Sequence, residues 1–303
     1  FHPHLHENTE RQVNKGLAGM IIIRDSIEST YDLPRKYGVD DFPLIVQSKA
    51  FDVLYQLAPF NSYDSIIMIN GTIDPYLQVP AQVIRLRLLA AASTRSFNFG
   101  LEGNIPFYQI ASDGGMLDQP VQLTRLRLST GERAEILIDL SALQGQSLYL
   151  KSYASEFPIG IIGAAQVSLN DTLPGYYTNP LNGNDYNLLR FDVTAPTPNP
   201  VTTIPNSFAP LNPWMESQAD ISRDLIFSLD TLILLYSPVE GPFLINNQPF
   251  HMDSINIHSY LNNIEIWRLI NTTDVAHPFH IHDIQFYILD INGNPPPLGH
   301  SGI

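Results

Sequence analysis

Hydrophobic and polar residues alternate in short stretches through the middle of the chain, and turn residues separate these stretches. In residues 82–89, Ile84, Leu86 and Leu88 alternate with Val83, Arg85 and Arg87, a period of two that is typical of a half-buried β-strand. Asn70-Gly71 is a dipeptide typical of a tight turn. Strands are predicted over residues 42–47, 65–70, 82–89, 122–128, 134–140 and 147–153. About seven strands at this spacing favour an all-β sandwich or barrel.

The first part of the chain carries two further strand patterns. Residues 17–23 form an apolar run rich in β-branched side chains, and the charged pair Arg24-Asp25 follows it. This pattern predicts a buried strand. In the segment His2-Pro3-His4-Leu5-His6 the histidines recur at every second position, which predicts another strand with the three imidazoles on one face.

Proline marks the boundary between two strand-rich regions. The strand pattern occupies residues 37–195, which reads as one complete domain. Six prolines then follow between residues 194 and 222. Proline fixes φ and cannot donate to a sheet ladder, so this stretch is predicted to be a semi-extended linker over residues 196–222. The strand pattern resumes at about residue 223 and continues to residue 303.

A weak internal repeat links the two strand-rich regions. Ile69-Asn70-Gly71 followed by residues 83–89 is echoed by Ile245-Asn246-Asn247 followed by residues 265–271. Tandem copies of one β-domain would produce such a repeat.

Composition narrows the class of protein. Charged residues make up 15% of the 303 residues, and the chain's 24 prolines and 18 glycines imply frequent turns. The net charge of -14 argues against a nucleic-acid partner, for which a basic footprint is expected. The sequence contains no cysteine, which excludes disulfides and thiolate metal sites within this chain. No apolar run approaches the roughly 20 residues needed to span a membrane, so no membrane span is expected.

Histidines are concentrated near the two ends of the chain. Three of the nine fall in the stretch His277-Pro278-Phe279-His280-Ile281-His282, and a second group opens the chain with His2 and His4. Imidazole is a common protein ligand for copper, zinc, iron and nickel. In an extended strand, His280 and His282 would face the same side, whereas His277 would face the other side. The spacing therefore predicts a multinuclear site fed by two His-x-His pairs, and a separate site at His277.

These motifs resemble those of the multicopper oxidases, and most closely the bacterial laccase-like and copper-efflux branch. Residues 277–282 resemble the third histidine motif of that family, and Phe1-His2-Pro3-His4 resembles the second. Residues 11–13, 16–25, 33–34, 37–47, 69–71, 85–89, 110–115 and 131–133 resemble further parts of its first and second domains. The resemblance implies tandem cupredoxin-like Greek-key β-sandwich or barrel domains. Residues 1–36 would be the C-terminal remnant of domain 1, 37–195 domain 2, and 223–303 part of domain 3.

The resemblance also implies a copper site for each motif histidine. His277 would bind the type 1 copper and His280 the type 2 copper. His282 would bind one copper of the type 3 pair, and His2 and His4 would bind the two type 3 coppers. A complete protein would hold four coppers. The remaining ligands would lie in a first His-x-His motif before Phe1 and a His-Cys-His motif after Ile303, so the chain would be incomplete at both ends and inactive alone.

The implied activity is one-electron oxidation of phenols, aromatic amines or Cu(I), coupled to four-electron reduction of O2 to water. The implied partners are a small reducing substrate and O2, and the implied location is the periplasm or the cell exterior. Asp274 precedes His277, where an acidic group of the family can bind substrate, although a solvated loop carboxylate is the ordinary alternative. His6 is expected to be a surface residue and no ligand. Asp113 and the pair Glu132-Arg133 are expected to be structural.

Two features leave other functions open. Glu7 and Asp283 stand where the family usually has glycine after its His-x-His pairs, which puts the ligand geometry in doubt. One alternative is a copper-free cupredoxin scaffold with a role in cell division or assembly. The other is a protein that binds zinc or another divalent metal through the same histidines.

Overall fold

The computed structural model describes residues 1–58, 64–169, 176–230 and 243–297, and within them the fold is almost entirely β. The all-β prediction is therefore confirmed. The α-helix α1 spans Thr9–Asn14, and no helix in this part of the chain is long and apolar enough to cross a membrane. Short 3₁₀ turns lie at Glu28–Thr30, Glu102–Asn104, Ser141–Leu143, Ala154–Glu156, Tyr176–Thr178 and Glu216–Gln218. The strands are β1 (Asp41–Lys49), β2 (Ile66–Ile69), β3 (Thr72–Ile73), β4 (Tyr76–Pro80), β5 (Val83–Ala90), β6 (Phe97–Leu101), β7 (Phe107–Ser112), β8 (Gly115–Leu123), β9 (Leu126–Leu128), β10 (Arg133–Asp139), β11 (Ser147–Tyr153), β12 (Asp185–Thr194), β13 (Ile221–Leu229), β14 (Phe243–Ile245) and β15 (Glu265–Asn271).

The chain divides into two compact units. The first unit contains Phe1–Leu211 together with Pro278–Ile303, and the second contains Asn212–His277. The C-terminal segment that carries His280 and His282 thus belongs to the same unit as the N-terminal segment that carries His2 and His4.

A β-sandwich forms the body of the first unit. A seven-stranded sheet has the order β3-β2-β1-β5-β10-β7-β8, and a five-stranded sheet has the order β4-β12-β11-β6-β9. Alternate residues of each strand enter a common apolar core, as the period of two requires. Leu86 and Ile136 contribute from one sheet, and Phe97, Leu150 and Phe191 contribute from the other.

Strand β5 is buried on both faces, so the prediction of a half-buried strand was wrong. All eight of its residues are buried, including Arg85 and Arg87. The face that carries the arginines is covered because buried Glu28 and Leu33, from the connection before β1, lie over it with Val201 of the proline-rich stretch. Buried charges need partners, and the two arginines have them in three carboxylates, those of Glu28, Asp41 and Glu135.

The two strands predicted before residue 24 are absent. Residues 2–6 and 17–23 form no strand, and the apolar run leaves Ile21 74% and Ile23 88% exposed. A strand requires a hydrogen-bonded neighbour, and no described strand pairs with either segment. Phe1, directly before the first segment, instead forms two backbone hydrogen bonds with Gly19 of the second. Helix α1, which lies between them, was not predicted.

The internal repeat reappears as a repeated structure, which supports tandem copies of one β-domain. In the first unit β1 pairs antiparallel with β2 and parallel with β5, and in the second unit β13 pairs in the same ways with β14 and β15. Asn70 and Asn246 both follow the second strand with positive φ values of 49° and 52°. The Asn70 side chain accepts from the Ile45 N–H at 2.8 Å, and the Asn246 side chain accepts from the Ile226 N–H at 2.8 Å.

Candidate metal centre

Four imidazoles from the two ends of the chain meet in the first unit. The Nε2 atoms of His4 and His282 are 3.3 Å apart, and their ring centroids are 4.8 Å apart. The His280 ring lies 4.9 Å from that of His282, and the His2 ring is stacked at 5.9 Å from that of His4. We call His2, His4, His280 and His282 the histidine cluster. Each His-x-His pair places its rings side by side although neither segment is a β-strand.

The N-terminal arm, residues 1–6, is held at both ends. At its start, the backbone nitrogen of Phe1 donates to the Gly19 carbonyl at 2.6 Å, and the Gly19 N–H donates to the Phe1 carbonyl at 3.0 Å. At its end, the Leu5 carbonyl accepts from the N–H of Asn8, which begins the turn into helix α1. The arm thus has fixed ends, although no strand among the described residues pairs with it.

Lys49 binds the C-terminal end of helix α1. Its ammonium group donates to the Val13 carbonyl at 3.1 Å and to the Asn14 carbonyl, and the side chain is buried. Burial lowers the pKa of Lys49 to about 8. A cation at the C-terminal end of a helix satisfies carbonyls that have no partner within the helix.

The surroundings of His280 favour its neutral imidazole, which is the form that binds a metal. Burial lowers the pKa of His280, and the nearby charges of His282, Arg133 and His2 lower it further, while Asp113 opposes them. Nδ1 of His2 lies 2.7 Å from the Pro3 carbonyl oxygen. Because a carbonyl only accepts, Nδ1 carries the proton in this contact and Nε2 is left as the metal-binding nitrogen.

The geometry fits metal ions that are shared by pairs of imidazoles. Two imidazole nitrogens bound to one ion at about 2.0–2.1 Å with a tetrahedral angle are about 3.3 Å apart. The Nε2 atoms of His4 and His282 have this separation. Within the described ranges, no three His, Cys, Asp or Glu side chains form a group that could hold an ion by themselves. Ions in the histidine cluster would therefore need further ligands.

His277 lies in the second unit and has aromatic surroundings. Its Nε2 atom is 2.7 Å from the Thr273 hydroxyl oxygen, which leaves Nδ1 for another ligand. The ring stacks on Phe227 at 5.7 Å and meets Phe243 edge to face at 4.7 Å. Burial lowers the pKa of His277, so this imidazole is also held in the neutral form. Asp274 lies in the exposed bend that precedes it.

Sequence reasoning missed the groups that surround the cluster. Asp113 and Arg133 were predicted to be structural, and they do form an ion pair at 3.2 Å, in which the carboxylate also accepts from the Arg133 N–H at 2.6 Å. Their charges nevertheless act on His280. Sequence spacing gave no signal for the contact between Phe1 and Gly19, because these residues are 18 positions apart and belong to no regular element.

Glu7 and Asp283 occupy strained backbone positions directly after the two histidine segments. Their φ values are 64° and 58°, in the left-handed region where glycine has no steric cost. Both side chains are exposed, and Glu7 lies 3.9 Å from His6, which is itself exposed. Each of these two turns therefore has a backbone conformation that favours glycine but carries an acidic side chain.

We expect Glu7→Gly and Asp283→Gly to stabilise the protein. Relief of a left-handed non-glycine residue gains about 1–2 kcal/mol, and the greater freedom of glycine in the unfolded chain offsets part of that gain. The expected net effect is about 0.5–1 kcal/mol at Glu7 and less at Asp283, since aspartate tolerates this conformation better. Thermal unfolding of the metal-free protein would measure it. Glu10→Gly, in helix α1, should have the opposite sign, and a loss of stability in Glu7→Gly would contradict the prediction.

Comparison with known proteins identifies the family. Residues 224–300 match the family model described as "Multicopper oxidase". The chain is 30% identical to the multicopper oxidase mco of Staphylococcus haemolyticus over 312 residues, which cover 100% of this chain and 57% of that protein. It is 31% identical to the cell division protein FtsP of Xenorhabdus nematophila, covering 98% of this chain and 58% of that protein.

A solved structure agrees with the sequence matches. The bacterial laccase-like multi-copper oxidase CueO of Ochrobactrum sp. superposes with a TM-score of 0.80 and 33% identity, over 99% of this chain and 65% of that chain. The chain spans a little over half the length of the curated relatives that it matches. Its β-domains are therefore cupredoxin-like, and the chain belongs to the multicopper oxidase family.

Proposed function

We propose that this chain forms part of a laccase-like copper oxidase, in which the histidine cluster holds copper. The observation that carries the proposal is the approach of His4 and His282, whose Nε2 atoms are 3.3 Å apart although the residues are 278 positions apart in the sequence. A donor set made of imidazole alone suits copper, and the lowered pKa of His280 lets that ring bind it without first losing a proton.

The residues of the chain would have distinct tasks in this oxidase. The N-terminal arm and the segment from His280 to His282 would present their rings to shared ions. His277, oriented by Thr273 and two phenylalanine rings, would serve a separate copper near the reducing substrate. Asp274, exposed beside it, would meet a substrate amine or hydroxyl group. When bound, copper would supply one-electron chemistry, so that four electrons from phenols, aromatic amines or Cu(I), together with four protons, would reduce one O2 to two waters.

The family resemblance carries two further proposals. Residues 1–36 would be the end of a first cupredoxin-like domain, residues 37–195 a second domain, residues 196–222 a linker and residues 223–303 part of a third. The partners would be O2 and a small reducing substrate, in the periplasm or outside the cell. The CueO structure that resembles this chain is described as having oxidase activity towards lignin model compounds, which supports a phenolic substrate.

A second candidate is a copper-free scaffold. The similarity to FtsP, named as a cell division protein, favours it. The presence and mutual approach of all four imidazoles of the cluster favour the oxidase instead, since a scaffold has no need of them. A zinc protein would use the same ligands but could not carry electrons.

Metal analysis and oxygen uptake on the intact protein, of which this chain would form a part, test the proposal. We expect bound copper, and we expect one O2 to be consumed for every four one-electron oxidations of a phenol such as 2,6-dimethoxyphenol. His251→Ala, which changes an exposed histidine outside the cluster, should leave both unchanged. Protein that binds no copper when copper is supplied would support the scaffold, and zinc alone at the site would support the third candidate.

A further inference from the structure

A series of hydrogen bonds runs from the end of β15 to the ring of His277. At its centre, the Thr273 hydroxyl oxygen lies 2.7 Å from Nε2 of His277. The same oxygen lies 2.8 Å from Oδ1 of Asn271 and 2.9 Å from the Val275 carbonyl oxygen. All four residues belong to the second unit. A hydroxyl group has one proton to donate, so the direction of that proton decides which nitrogen of the His277 ring carries its own.

Backbone groups on both sides fix the orientation of the Asn271 amide. Its Oδ1 atom accepts from the Thr273 N–H at 3.0 Å, and its Nδ2 group donates to the Val275 carbonyl at 2.8 Å. A backbone N–H can only donate and a carbonyl can only accept, so an amide turned the other way would lose both hydrogen bonds. Asn271 therefore presents an acceptor to the Thr273 hydroxyl.

The number of hydrogen bonds decides between two arrangements of the Thr273 hydroxyl. If the hydroxyl donated to His277, the oxygens of Asn271 and Val275 would face it at 2.8 and 2.9 Å with no proton between them. If the His277 Nε2–H donates instead, the hydroxyl proton is free for Asn271, and one such contact is left. The Val275 N–H, at 3.4 Å, also directs a donor at the hydroxyl oxygen. The second arrangement is favoured, because it makes two short hydrogen bonds where the first makes one.

We infer that Asn271 and Thr273 are positioning residues, which hold the proton of His277 on Nε2 and so present its bare Nδ1 to a metal ion. The inference rests on the proposed function for its consequence, which is the affinity of the His277 site for copper. His2 has the opposite arrangement, since its Nδ1 donates to the Pro3 carbonyl and its Nε2 is left bare. An outer hydrogen bond of this kind fixes both the tautomer and the orientation of a ligand imidazole.

Nitrogen-15 NMR of the intact protein without copper tests the hydrogen bond directly. With labelled histidine at pH 8, above the ordinary imidazole pKa of about 6.5, we expect the proton of neutral His277 on Nε2. His277→Ala assigns the signal. We expect Thr273→Val, which removes the hydroxyl and keeps the shape, to make the Nε2–H exchange with water several-fold faster, as the loss of one hydrogen bond requires. Thr273→Ser, which keeps the hydroxyl, should restore slow exchange.

Copper titration against a competing chelator measures the consequence in the same variants. We expect Thr273→Val to lower the affinity for one of the bound coppers about tenfold, within the range that loss of an outer partner costs a metal site. Thr273→Ser should bind nearly as the wild type does. Thr272→Val is the matched control, because the Thr272 hydroxyl donates to the Phe227 carbonyl at 2.7 Å in the same loop and has no contact with the His277 ring. It should leave both the exchange rate and the copper affinity unchanged.

The two measurements fail separately. If the wild type binds no copper, the proposed function fails, and the NMR result decides the hydrogen bonding of His277 on its own. A proton on Nδ1 in the wild type, or unchanged Nε2–H exchange in Thr273→Val, would overturn the inference. Equal losses of copper affinity in Thr273→Val and Thr272→Val would also overturn it, since they would show that the stability of the loop controls binding.

Discussion

Replacing His282 with alanine is expected to lower the affinity of the intact protein for copper by more than about 100-fold, beyond the 10–100-fold cost of losing an outer partner of a metal ligand. The His282 ring contacts His4 on one side and His280 on the other, at centroid distances of 4.8 and 4.9 Å. It therefore joins the N-terminal arm to the C-terminal segment. Its loss removes one donor and also the ring through which the two segments meet.

The measurement is a copper titration against a chelator of known affinity, followed by oxygen uptake with a phenol. His6→Ala is the matched control, because His6 belongs to the same N-terminal arm but lies outside the histidine cluster. We expect His6→Ala to bind copper nearly as the wild type does. Equal losses in the two variants would mean that the arm, and not the cluster, controls binding, and full retention of copper by His282→Ala would contradict the site.

Much of the β-structure could be predicted because local patterns report it directly. The alternation in β10 and β11 gave these strands nearly to the residue. The repeat of Asn70 at Asn246 was visible because each asparagine has the same backbone task, which is to turn the chain with positive φ and hydrogen-bond back to the first strand.

Patterns failed where the outcome depended on what lies on the other side of an element. Arg85 and Arg87 alternate with core residues, which shows that they share a face but not whether that face meets water. The apolar residues 17–23 show a tendency to be buried but not the surface that would bury them. Both errors arose because periodicity is a property of one element, whereas burial also depends on the element that packs against it.

The candidate site was predictable for a related reason. Spacing within each His-x-His pair is local, and the rings of each pair do lie side by side, although the strands from which this was argued are absent. The environment of those rings is assembled from distant positions. Arg133 acts on His280, Gly19 pairs with Phe1, and Lys49 bonds to the C-terminal end of helix α1. No local pattern contains such contacts, so sequence reasoning brought out the clustered histidines and missed the residues around them, while their role as ligands stays a prediction.

Breaking the buried ion network between β5 and the connection that precedes β1 should have the largest effect on stability. Arg85, 2% exposed, donates to Glu28 at 2.7 Å and to Glu135 at 2.8 Å, and Arg87 pairs with Glu135 and Asp41. Removing one member of a buried network leaves a charge without its partner, which costs about 3–5 kcal/mol. We therefore expect Arg85→Met to lower the free energy of unfolding by about 3–5 kcal/mol in urea at pH 7.

The pH dependence gives this prediction a second and independent readout. Burial alone would raise the pKa of Glu28, but the hydrogen bond and charge of Arg85, with the charges of Arg35 and Arg24, lower it below the ordinary value of 4.5. The folded protein therefore keeps Glu28 ionised at a lower pH than the unfolded chain does. The stabilisation from Glu28 is complete above pH 4.5 and is lost as the pH falls through the lowered pKa.

The difference in stability between wild type and Arg85→Met should accordingly narrow below about pH 4.5, because protonated Glu28 no longer needs its partner. Arg190→Met is the control, since Arg190 pairs with Asp192 on the surface with 43% of its side chain exposed, and it should change stability little at any pH. A constant difference across the acid range would show that Arg85 acts through packing. A narrowing difference would show that charge holds the connection before β1 against β5. That connection follows directly from the segment that carries the N-terminal arm.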